Sequence, residues 1–392
     1  MSATDRADGS ESAYRVLVVV GTRPEAIKMA PVVSALRAHE PEVRTSVVFT
    51  GQHTALVDSV IGALDLTPDH ELGIMREGQT LYDVVHAALD GLRGMVASSR
   101  PDLILVQGDT ATVFVASLVG FFERVPVGHV EAGLRSGDKQ APFPEEVLRR
   151  LTDVIADLHF APTPLARDLL LAENVPAENV FVTGNTVVDA LLAVSGLERP
   201  IQDPTLRAIV ENQSRRLVLL TAHRRESFGA PIRSVFASVR KLADEIRDID
   251  IVYPVHPNPS VREPAHEILD DHPRVHLVPP LDYVDLVAAL RSSSLVLTDS
   301  GGIQEEAPTF GVPVLVLREV TERPEGVRAG VAELVGTDPA RILARARALL
   351  GPRDRSAPPA NPYGDGHAGR RIADIVVARL TGRSRVTHDW GG

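Results

Sequence analysis

The 392-residue chain exceeds the size at which a single hydrophobic core is usual, so its length predicts two domains. With 44% apolar and 24% charged residues, its composition is that of a globular protein, and no apolar run approaches the length of a membrane span. The net charge of −11 disfavours nucleic acid as a partner, and the absence of cysteine excludes disulfides, thiolate metal sites and a cysteine nucleophile.

The start of the chain is polar and acidic. Residues 1–13 lack the basic and apolar regions of a secretory signal, so we interpret them as a disordered tail. Together with the cysteine-free composition, this favours a cytoplasmic protein with no membrane partner.

Short β-branched runs alternate with amphipathic segments in the first half of the chain. The runs that predict buried parallel strands are 15–20, 45–49, 102–107 and 125–130. Helices are predicted at 27–39 and 80–99. This alternation is typical of a doubly wound α/β domain.

The second half of the chain repeats the alternation. Strands are predicted at 216–221, 249–255, 274–278, 294–298 and 312–317, and helices at 231–246, 261–270, 283–291 and 338–350. The polar, proline-interrupted segment 196–215 is the expected place of the linker, and 353–362 forms a second break before a last helix at about 365–382. The predicted fold class is therefore α/β, with two Rossmann-like doubly wound domains.

Ligands of doubly wound sheets bind beyond the carboxyl ends of the strands. After the first predicted strand comes a Gly-Thr-Arg-Pro-Glu turn, followed by a helix that carries Lys28. Arg23 and Lys28 suit a phosphate ligand, although they could also be solvated charges of an exposed loop. No GxGxxG fingerprint of a dinucleotide site follows any predicted strand.

Carboxylates follow the next predicted strands. Asp109 and Glu131 each come directly after an apolar run, and Glu145 lies on a proline-stiffened loop. With Arg135 and Arg149 nearby in sequence, these residues indicate acid/base chemistry on an anionic substrate. Asp109 could instead be an ordinary cap of the following helix.

The second predicted domain contains a candidate phosphate site. Ser300, Gly301 and Gly302 lead from a strand into a helix, where backbone N–H groups and the helix dipole attract anions. Glu306 is placed to accept hydrogen bonds from ribose hydroxyls, although the segment could also be a simple helix cap. His223 and His256 follow separate strands without the spacing of a metal site, so we predict no metal.

The motifs now assembled resemble those of the non-hydrolysing UDP-N-acetylglucosamine 2-epimerases. In chain order they are GTRPEAIKMAP, TGQH, QGDT, HVEAGLRS, PFPEE, TGNTVVDA, HRRESFG, YPVHPNP, LTDSGGIQEEAP, TERPE, LVGTD and NPYGDG. The resemblance covers about residues 15–382. It implies a GT-B-like fold with the active site in an interdomain cleft, a homodimer, and interconversion of UDP-GlcNAc and UDP-ManNAc without NAD or metal, for polysaccharide biosynthesis.

The resemblance also implies domain limits. They are a tail at 1–13, an N-terminal Rossmann-like domain at 14–195, a C-terminal nucleotide-binding domain at 196–362, a helix at 363–383 that packs back on the N-terminal domain, and a tail at 384–392.

Residue roles carry over onto the matching motifs. The resemblance implies that Asp109, Glu131 and Glu145 are the acid/base carboxylates and that Arg135 and Arg149 position them. It implies that Arg23, Lys28 and His223 act on the diphosphate. The residues implied to hold the nucleotide are Arg23, His256, Ser300, Gly301, Gly302, Glu306 and Arg323.

Two positions depart from the family pattern. Some bacterial members bind a second UDP-GlcNAc as an activator through polar side chains, and Ala55 and Gly78 stand here where two of those side chains are expected. Gln52 and Arg225 of that pattern remain. Allosteric activation is therefore in doubt.

Alternative functions remain compatible with the sequence. They are 2-epimerisation of a modified UDP-sugar such as a 2,3-diacetamido uronic acid, a hydrolysing epimerase, a GT-B glycosyltransferase, and a sensor that binds UDP-sugar without turnover. The three carboxylates disfavour a transferase, whose acceptor site rarely needs so many.

Overall fold

A computed structural model describes residues 13–51, 61–76, 78–212, 214–351 and 360–391. Residues 1–12 of the predicted tail and 353–359 of the predicted break lie outside this range. The chain divides into two compact units, Met1–Thr186 with Gly366–Gly391 as unit 1, and Val187–Asp365 with Gly392 as unit 2. Among the described residues, we find no helix with both the length and the apolar character needed to span a bilayer.

Unit 1 alternates strands and helices. Its strands are β1 (Tyr14–Val20), β2 (Val43–Phe49), β3 (His70–Glu71), β4 (Leu103–Gln107), β5 (Val127–Val130), β6 (Leu158–Ala161) and β7 (Val180–Val182). Its helices include α1 (Arg23–Arg37), α2 (Leu81–Ser99), α3 (Ala111–Glu123), α4 (Glu145–Ile155) and α5 (Pro164–Ala172). In the described residues these strands form one parallel sheet in the order β3-β2-β1-β4-β5-β6-β7.

Unit 2 has the same plan. After α6 (Thr186–Ser195) and α7 (Pro204–Asn212), its strands are β8 (Arg216–Thr221), β9 (Ile249–Pro254), β10 (Val275–Val278), β11 (Ser293–Thr298), β12 (Val314–Val316) and β13 (Ala332–Leu334). The helices between and after them are α8 (Ala230–Glu245), α9 (Pro259–Leu269), α10 (Tyr283–Ser292), α11 (Gly301–Glu306), α12 (Pro324–Arg328) and α13 (Pro339–Leu350). Within the described range, the parallel sheet runs β10-β9-β8-β11-β12-β13.

The predicted class of two Rossmann-like sheets is confirmed, since both strand orders have the 3-2-1-4-5-6 core of that fold. Strands β3, β6, β7 and β13 were not predicted. The segment 196–215, predicted to hold the linker, contains helix α7. Asp203 starts this helix by accepting a 2.7 Å hydrogen bond from the Leu206 N–H, and Leu206 is buried.

Local sequence sets the helix starts near the sheet edges. Thr80 and Asp83 form a capping box at the start of α2, each side chain binding the other's backbone N–H. Thr110 caps α3 by accepting from the Val113 N–H, although the 3.4 Å distance makes this bond long. The caps hold the helix ends close to the strands that precede them.

The last helix, α14 (Ala368–Thr381), packs against α1 within unit 1. At their closest approach, a Cβ atom on Gly369 would lie 2.7 Å from the backbone carbonyl of Pro31. The chain then returns to β7, where the Asp389 carboxylate accepts from the Val182 N–H and the Trp390 N–H donates to the Val182 carbonyl. The described part of the predicted tail 384–392 therefore covers an edge of the sheet.

We expect Gly369→Ala to destabilise the protein by about 1–3 kcal/mol, because the added methyl group collides with backbone that cannot rotate away. A Cβ atom added to the exposed helical Gly94 would have no neighbour within 4 Å, so Gly94→Ala should be neutral or stabilise by about 0.5–1 kcal/mol. Denaturant unfolding of both variants measures the difference. Equal stability would contradict tight packing of α14 on α1.

Candidate active site

Each sheet reverses its strand order between two neighbouring strands. In unit 1 the reversal lies between β1 and β4, and in unit 2 between β8 and β11. Such a switch point leaves a crevice at the carboxyl ends of the two strands. Of the predicted site residues, Arg23 and Asp109 border the first crevice, and His223, Ser300 and Gly301 border the second.

Glu131 follows β5 at the carboxyl edge of the first sheet. Its carboxylate pairs with Lys28 Nζ at 2.5 Å, and the two side chains are only 7% and 12% exposed. Gln107 Nε2 donates to the other carboxylate oxygen, and Asn185 Nδ2 lies 3.5 Å from the first. Residues from three separate segments therefore converge on this carboxylate.

Asp109 follows β4 and pairs with the buried guanidinium of Arg149. The Asp109 side chain is 30% exposed, whereas that of Arg149 is 6% exposed, so a substrate can reach the carboxylate but not its cation. A second carboxylate also binds this guanidinium, since Arg149 Nη1 donates to Glu146 Oε2 at 3.2 Å. Glu146 in turn accepts from the backbone N–H groups of Ser136 and Gly137. The predicted pairing of Asp109 with an arginine is present.

His129 lies in β5 and anchors the turn that presents Asp109. Its Nδ1 is 2.6 Å from the Asp153 carboxylate, and its Nε2 is 2.8 Å from the carbonyl oxygen of Gly108. Burial alone would raise the pKa of Asp153, but the charges and hydrogen bonds of His129 and Arg135 lower it, so Asp153 is ionised. Both ring nitrogens therefore face oxygen atoms, which fixes the orientation of the His129 ring between the Asp153 carboxylate and the Gly108 carbonyl.

The remaining predicted residues of unit 1 differ in their surroundings. Arg135 binds Asp153 at 2.8 Å and Glu173 at 2.7 Å, so it supports the His129 network and does not pair with the three predicted carboxylates. Glu145 begins α4, and among the described residues we find no polar partner for its carboxylate. Arg23 is the first residue of α1 and lies at the crevice edge.

Glu25 was not selected from the sequence. Its carboxyl group is buried in the first turn of α1 and accepts hydrogen bonds from Gly21, Thr22 and Thr110. Burial raises the pKa of Glu25 to about 7, even though the hydrogen bonds act in the opposite direction. A buried carboxyl group with a pKa near neutrality therefore lies behind the turn that carries Asp109.

In unit 2 the buried Asp299 joins the two turns at the switch point. Its Oδ2 accepts from the backbone N–H groups of His223 at 2.7 Å and Arg224 at 2.8 Å. The His223 ring stacks on the His256 ring, with centroids 5.4 Å apart and planes 9° from parallel. Desolvation lowers the pKa of His223, opposed by the charge of Asp299 and aided by His256, so the neutral imidazole is favoured.

Helix α11 begins at the same crevice. Ser300 occupies the cap position, but its hydroxyl makes no capping hydrogen bond, which leaves it available to a ligand. Arg323 lies across Gly301, since a Cβ atom there would be 3.1 Å from the Arg323 Cζ atom. Only glycine lets the guanidinium lie this close to the helix start.

A series of ion pairs fixes Arg323. Arg323 Nε donates to Glu305 at 2.9 Å, while Glu322 accepts from Arg318 at 2.9 Å and lies 3.7 Å from Arg323. Burial alone would raise the pKa of Glu322, but the hydrogen bond from Arg318 and the charges of Arg323 and Arg318 lower it to about 2. The Tyr363 hydroxyl adds a bond to the Arg323 carbonyl at 3.1 Å.

The residues that the sequence did not reveal are mainly those that hold the site residues in place. Gln107, His129 and Asn185 all belong to the sequence motifs given above, but their partners come from distant segments. For the predicted activator site, Gln52 and Ala55 lie outside the described residues. Gly78 is described, with a φ of 76°, ahead of α2.

Two Rossmann-like units with polar turns at both switch points define an α/β enzyme of the GT-B-like class. The chain belongs to the UDP-N-acetylglucosamine 2-epimerase family, whose sequence model matches residues 34–377. Members of this family are isomerase-type enzymes, and the match does not favour the transferase and modified-sugar alternatives.

Individual relatives agree with this assignment. The chain is 48% identical over 368 residues to the UDP-N-acetylglucosamine 2-epimerase of Bacillus subtilis, covering 93% of this chain and 95% of the relative. It is similar to the Staphylococcus aureus MnaA–UDP structure, with 43% sequence identity and a TM-score of 0.87. The match covers 96% of this chain and 100% of that structure. It is also similar to the Neisseria meningitidis UDP-GlcNAc 2-epimerase bound to UDP-GlcNAc. The sequence identity is 40% and the TM-score 0.85, and the match covers 94% of this chain and 100% of that structure.

We expect Glu322→Gln to lower the free energy of unfolding at pH 7 by about 1–3 kcal/mol, because the ionised carboxylate is stabilised in the folded state. The folded pKa lies below the unfolded one, so the advantage of the wild type is complete above about pH 4.5 and disappears as the pH falls towards 2. Urea unfolding at pH 7, 4 and 3 should show the two proteins converging. Glu319→Gln, an exposed carboxylate of the same loop, is the control, and a pH-independent gap for Glu322→Gln would count against the ion-pair series.

Proposed function

We propose that this chain inverts C2 of UDP-N-acetylglucosamine and thereby interconverts UDP-GlcNAc and UDP-ManNAc. The observation that carries the proposal is the pair of carboxylates at the carboxyl edge of the first sheet. Asp109 and Glu131 follow neighbouring strands, and each is paired with a cation whose side chain is mostly buried. Two carboxylates at one edge of a sheet can take up and return a proton.

The chemistry of the substrate limits the route. The C2 proton has no neighbouring carbonyl group, so it is not acidic in the intact sugar. We infer that the C1–O bond breaks first and that UDP leaves with the bonding electron pair. A carboxylate then accepts the C2 proton, and the C–H electrons form the C1=C2 double bond of a glycal. Protonation of C2 from the opposite face and return of UDP to C1 complete the inversion.

Unit 1 supplies the acid/base groups in this proposal. Lys28 pairs with Glu131 and Arg149 pairs with Asp109, and Glu145 is the third carboxylate of the set. Asn185 and Gln107 orient the Glu131 carboxylate through its two oxygens. Proton transfer to either face of C2 is assigned to these carboxylates as a group.

Unit 2 supplies the nucleotide site in this proposal. The neutral His223 can donate a hydrogen bond to the departing diphosphate, and Arg323 adds a fixed positive charge. Ser300 and the N–H groups at the start of α11 suit phosphate oxygens. The residues assigned to the nucleotide are Arg23, His256, Ser300, Gly301, Gly302, Glu306 and Arg323.

We also propose a homodimer in the cytoplasm, with the domain limits that the family resemblance implies. Light scattering on the purified chain tests the dimer.

The reaction in deuterated water tests the proposed route. With UDP-GlcNAc as the sole substrate, we expect UDP-ManNAc to form and C2 of the product to carry deuterium, because the abstracted proton exchanges with solvent. Proton NMR follows both signals. Epimer that keeps protium at C2 would rule out elimination, and the absence of any epimer would rule out the function.

Asp109→Asn should lower kcat by about two to four orders of magnitude, because an amide cannot accept the proton. Asp168→Asn, which changes an exposed carboxylate of the same unit, is the control and should leave kcat unchanged. The assay is epimer formation by NMR, with circular dichroism to confirm folding. Activity near that of the wild type would exclude an acid/base role for Asp109 and leave it only a structural role in its turn.

A further inference from the structure

Glu25 makes three hydrogen bonds that the proposed chemistry does not use. Its Oε2 accepts from the Gly21 N–H at 2.6 Å. Its Oε1 accepts from the hydroxyls of Thr22 at 3.0 Å and Thr110 at 2.9 Å. The residue is 2% exposed, so this carboxyl group does not reach a substrate from the described crevice.

The three donors come from two different turns. Gly21 and Thr22 follow β1 and precede the helix that carries Lys28, whereas Thr110 directly follows Asp109. These are the two turns on either side of the switch point of the first sheet. A single buried side chain therefore joins the turn next to one proposed catalytic cation to the turn that presents a proposed catalytic carboxylate.

We propose that Glu25 is a positioning residue, whose carboxyl group fixes the Asp109–Thr110 turn relative to the helix that carries Lys28. The inference rests on the proposed function, because it assigns importance to Asp109 and Lys28. Enzymatic rate depends on such placement, since a displacement of about 1 Å can cost on the order of 100-fold.

The hydrogen-bond geometry separates the effects of two substitutions. In Glu25→Gln the amide oxygen can accept from Gly21 while the amide nitrogen donates to the two hydroxyls, which can reverse their direction. The connection between the turns is then kept. In Glu25→Ala every bond is lost, and the Asp109 turn is released from the turn after β1.

Steady-state kinetics with UDP-GlcNAc tests the inference. We expect Glu25→Ala to lower kcat by about 10- to 100-fold while KM changes by less than about threefold, because acid/base geometry is disturbed and nucleotide binding is not. Glu25→Gln should keep kcat within about fivefold of the wild type. A wild-type kcat for Glu25→Ala, or a loss confined to KM, would overturn the inference.

Asp374 provides a matched control. Its carboxylate also accepts three hydrogen bonds, from the N–H groups of Val386 and Thr387 and from the Thr387 hydroxyl, but these partners lie in the segment beyond α14. Asp374→Ala should lower Tm and leave kcat within about twofold. If both alanine variants lose kcat in proportion to their Tm, Glu25 has only a stabilising role and the inference fails.

A double-mutant cycle with Thr110 tests whether Glu25 acts on kcat through its hydrogen bond to Thr110. The single variant Thr110→Val also provides a test if Glu25→Ala does not fold. Thr110→Val removes one donor, and we expect a lower kcat for this variant by itself. Combined with Glu25→Ala, it should be no slower than Glu25→Ala by itself, because both changes remove one contact. Additive losses, or wild-type kcat for Thr110→Val, would overturn the inference.

A failure of the proposed function can be distinguished from a failure of the positioning role. If Asp109→Asn is fully active, the assigned chemistry is wrong regardless of Glu25. If Asp109→Asn is inactive and Glu25→Ala is fully active, only the positioning role is wrong.

Discussion

The reversal of strand order at the centre of each sheet is the constraint on which the site depends. Neighbouring strands at a switch point lead into helices on opposite faces, so the turns beyond them separate and leave a crevice. In unit 1 these turns follow β1 and β4, and in unit 2 they follow β8 and β11. A chain with this topology has two places where polar side chains can gather without filling the core.

Separated turns need a connection, and each unit supplies one buried carboxyl group. In unit 1, Glu25 comes from the first turn and accepts from Thr110 of the second. In unit 2 the direction is opposite, since Asp299 comes from the second turn and accepts from the N–H groups of His223 and Arg224 in the first. A buried carboxyl group without such donors would strongly destabilise the fold. Each carboxyl group can therefore be buried only because donors of the other turn bind it.

The sequence predicted the part of this structure that local pattern determines. Continuous β-branched runs such as residues 15–20 identify buried strands, and residues directly after those strands lie at the ligand edge by topology alone. Asp109, Glu131 and Ser300 were found in this way. The short strand Leu158–Ala161 was missed, because its LHFA sequence contains no β-branched residue and only its pairing with a strand on each side reveals it.

Pairing across long separations could not be predicted in the same way. Arg135 binds Asp153 and Glu173, which lie 18 and 38 residues away, and nothing near Arg135 in sequence distinguishes them from other carboxylates. Glu25 follows the same logic, because its position in the first turn of a helix is typical of an exposed residue that favours the helix dipole. Only the packing of α1 beside Thr110 buries it.

The backbone at Glu131 argues for function independently of these contacts. Its φ is 68°, in the left-handed region where a residue other than glycine, asparagine or aspartate is costly. Glycine would relieve this strain, and the chain has glycine at the left-handed Gly133 two residues later. Arg100 and Arg124 also have positive φ, but both end helices, whereas Glu131 directly follows a strand and its turn directs the carboxylate to polar partners. Those partners, at the carboxyl edge of the first sheet, are Lys28, Gln107 and Asn185.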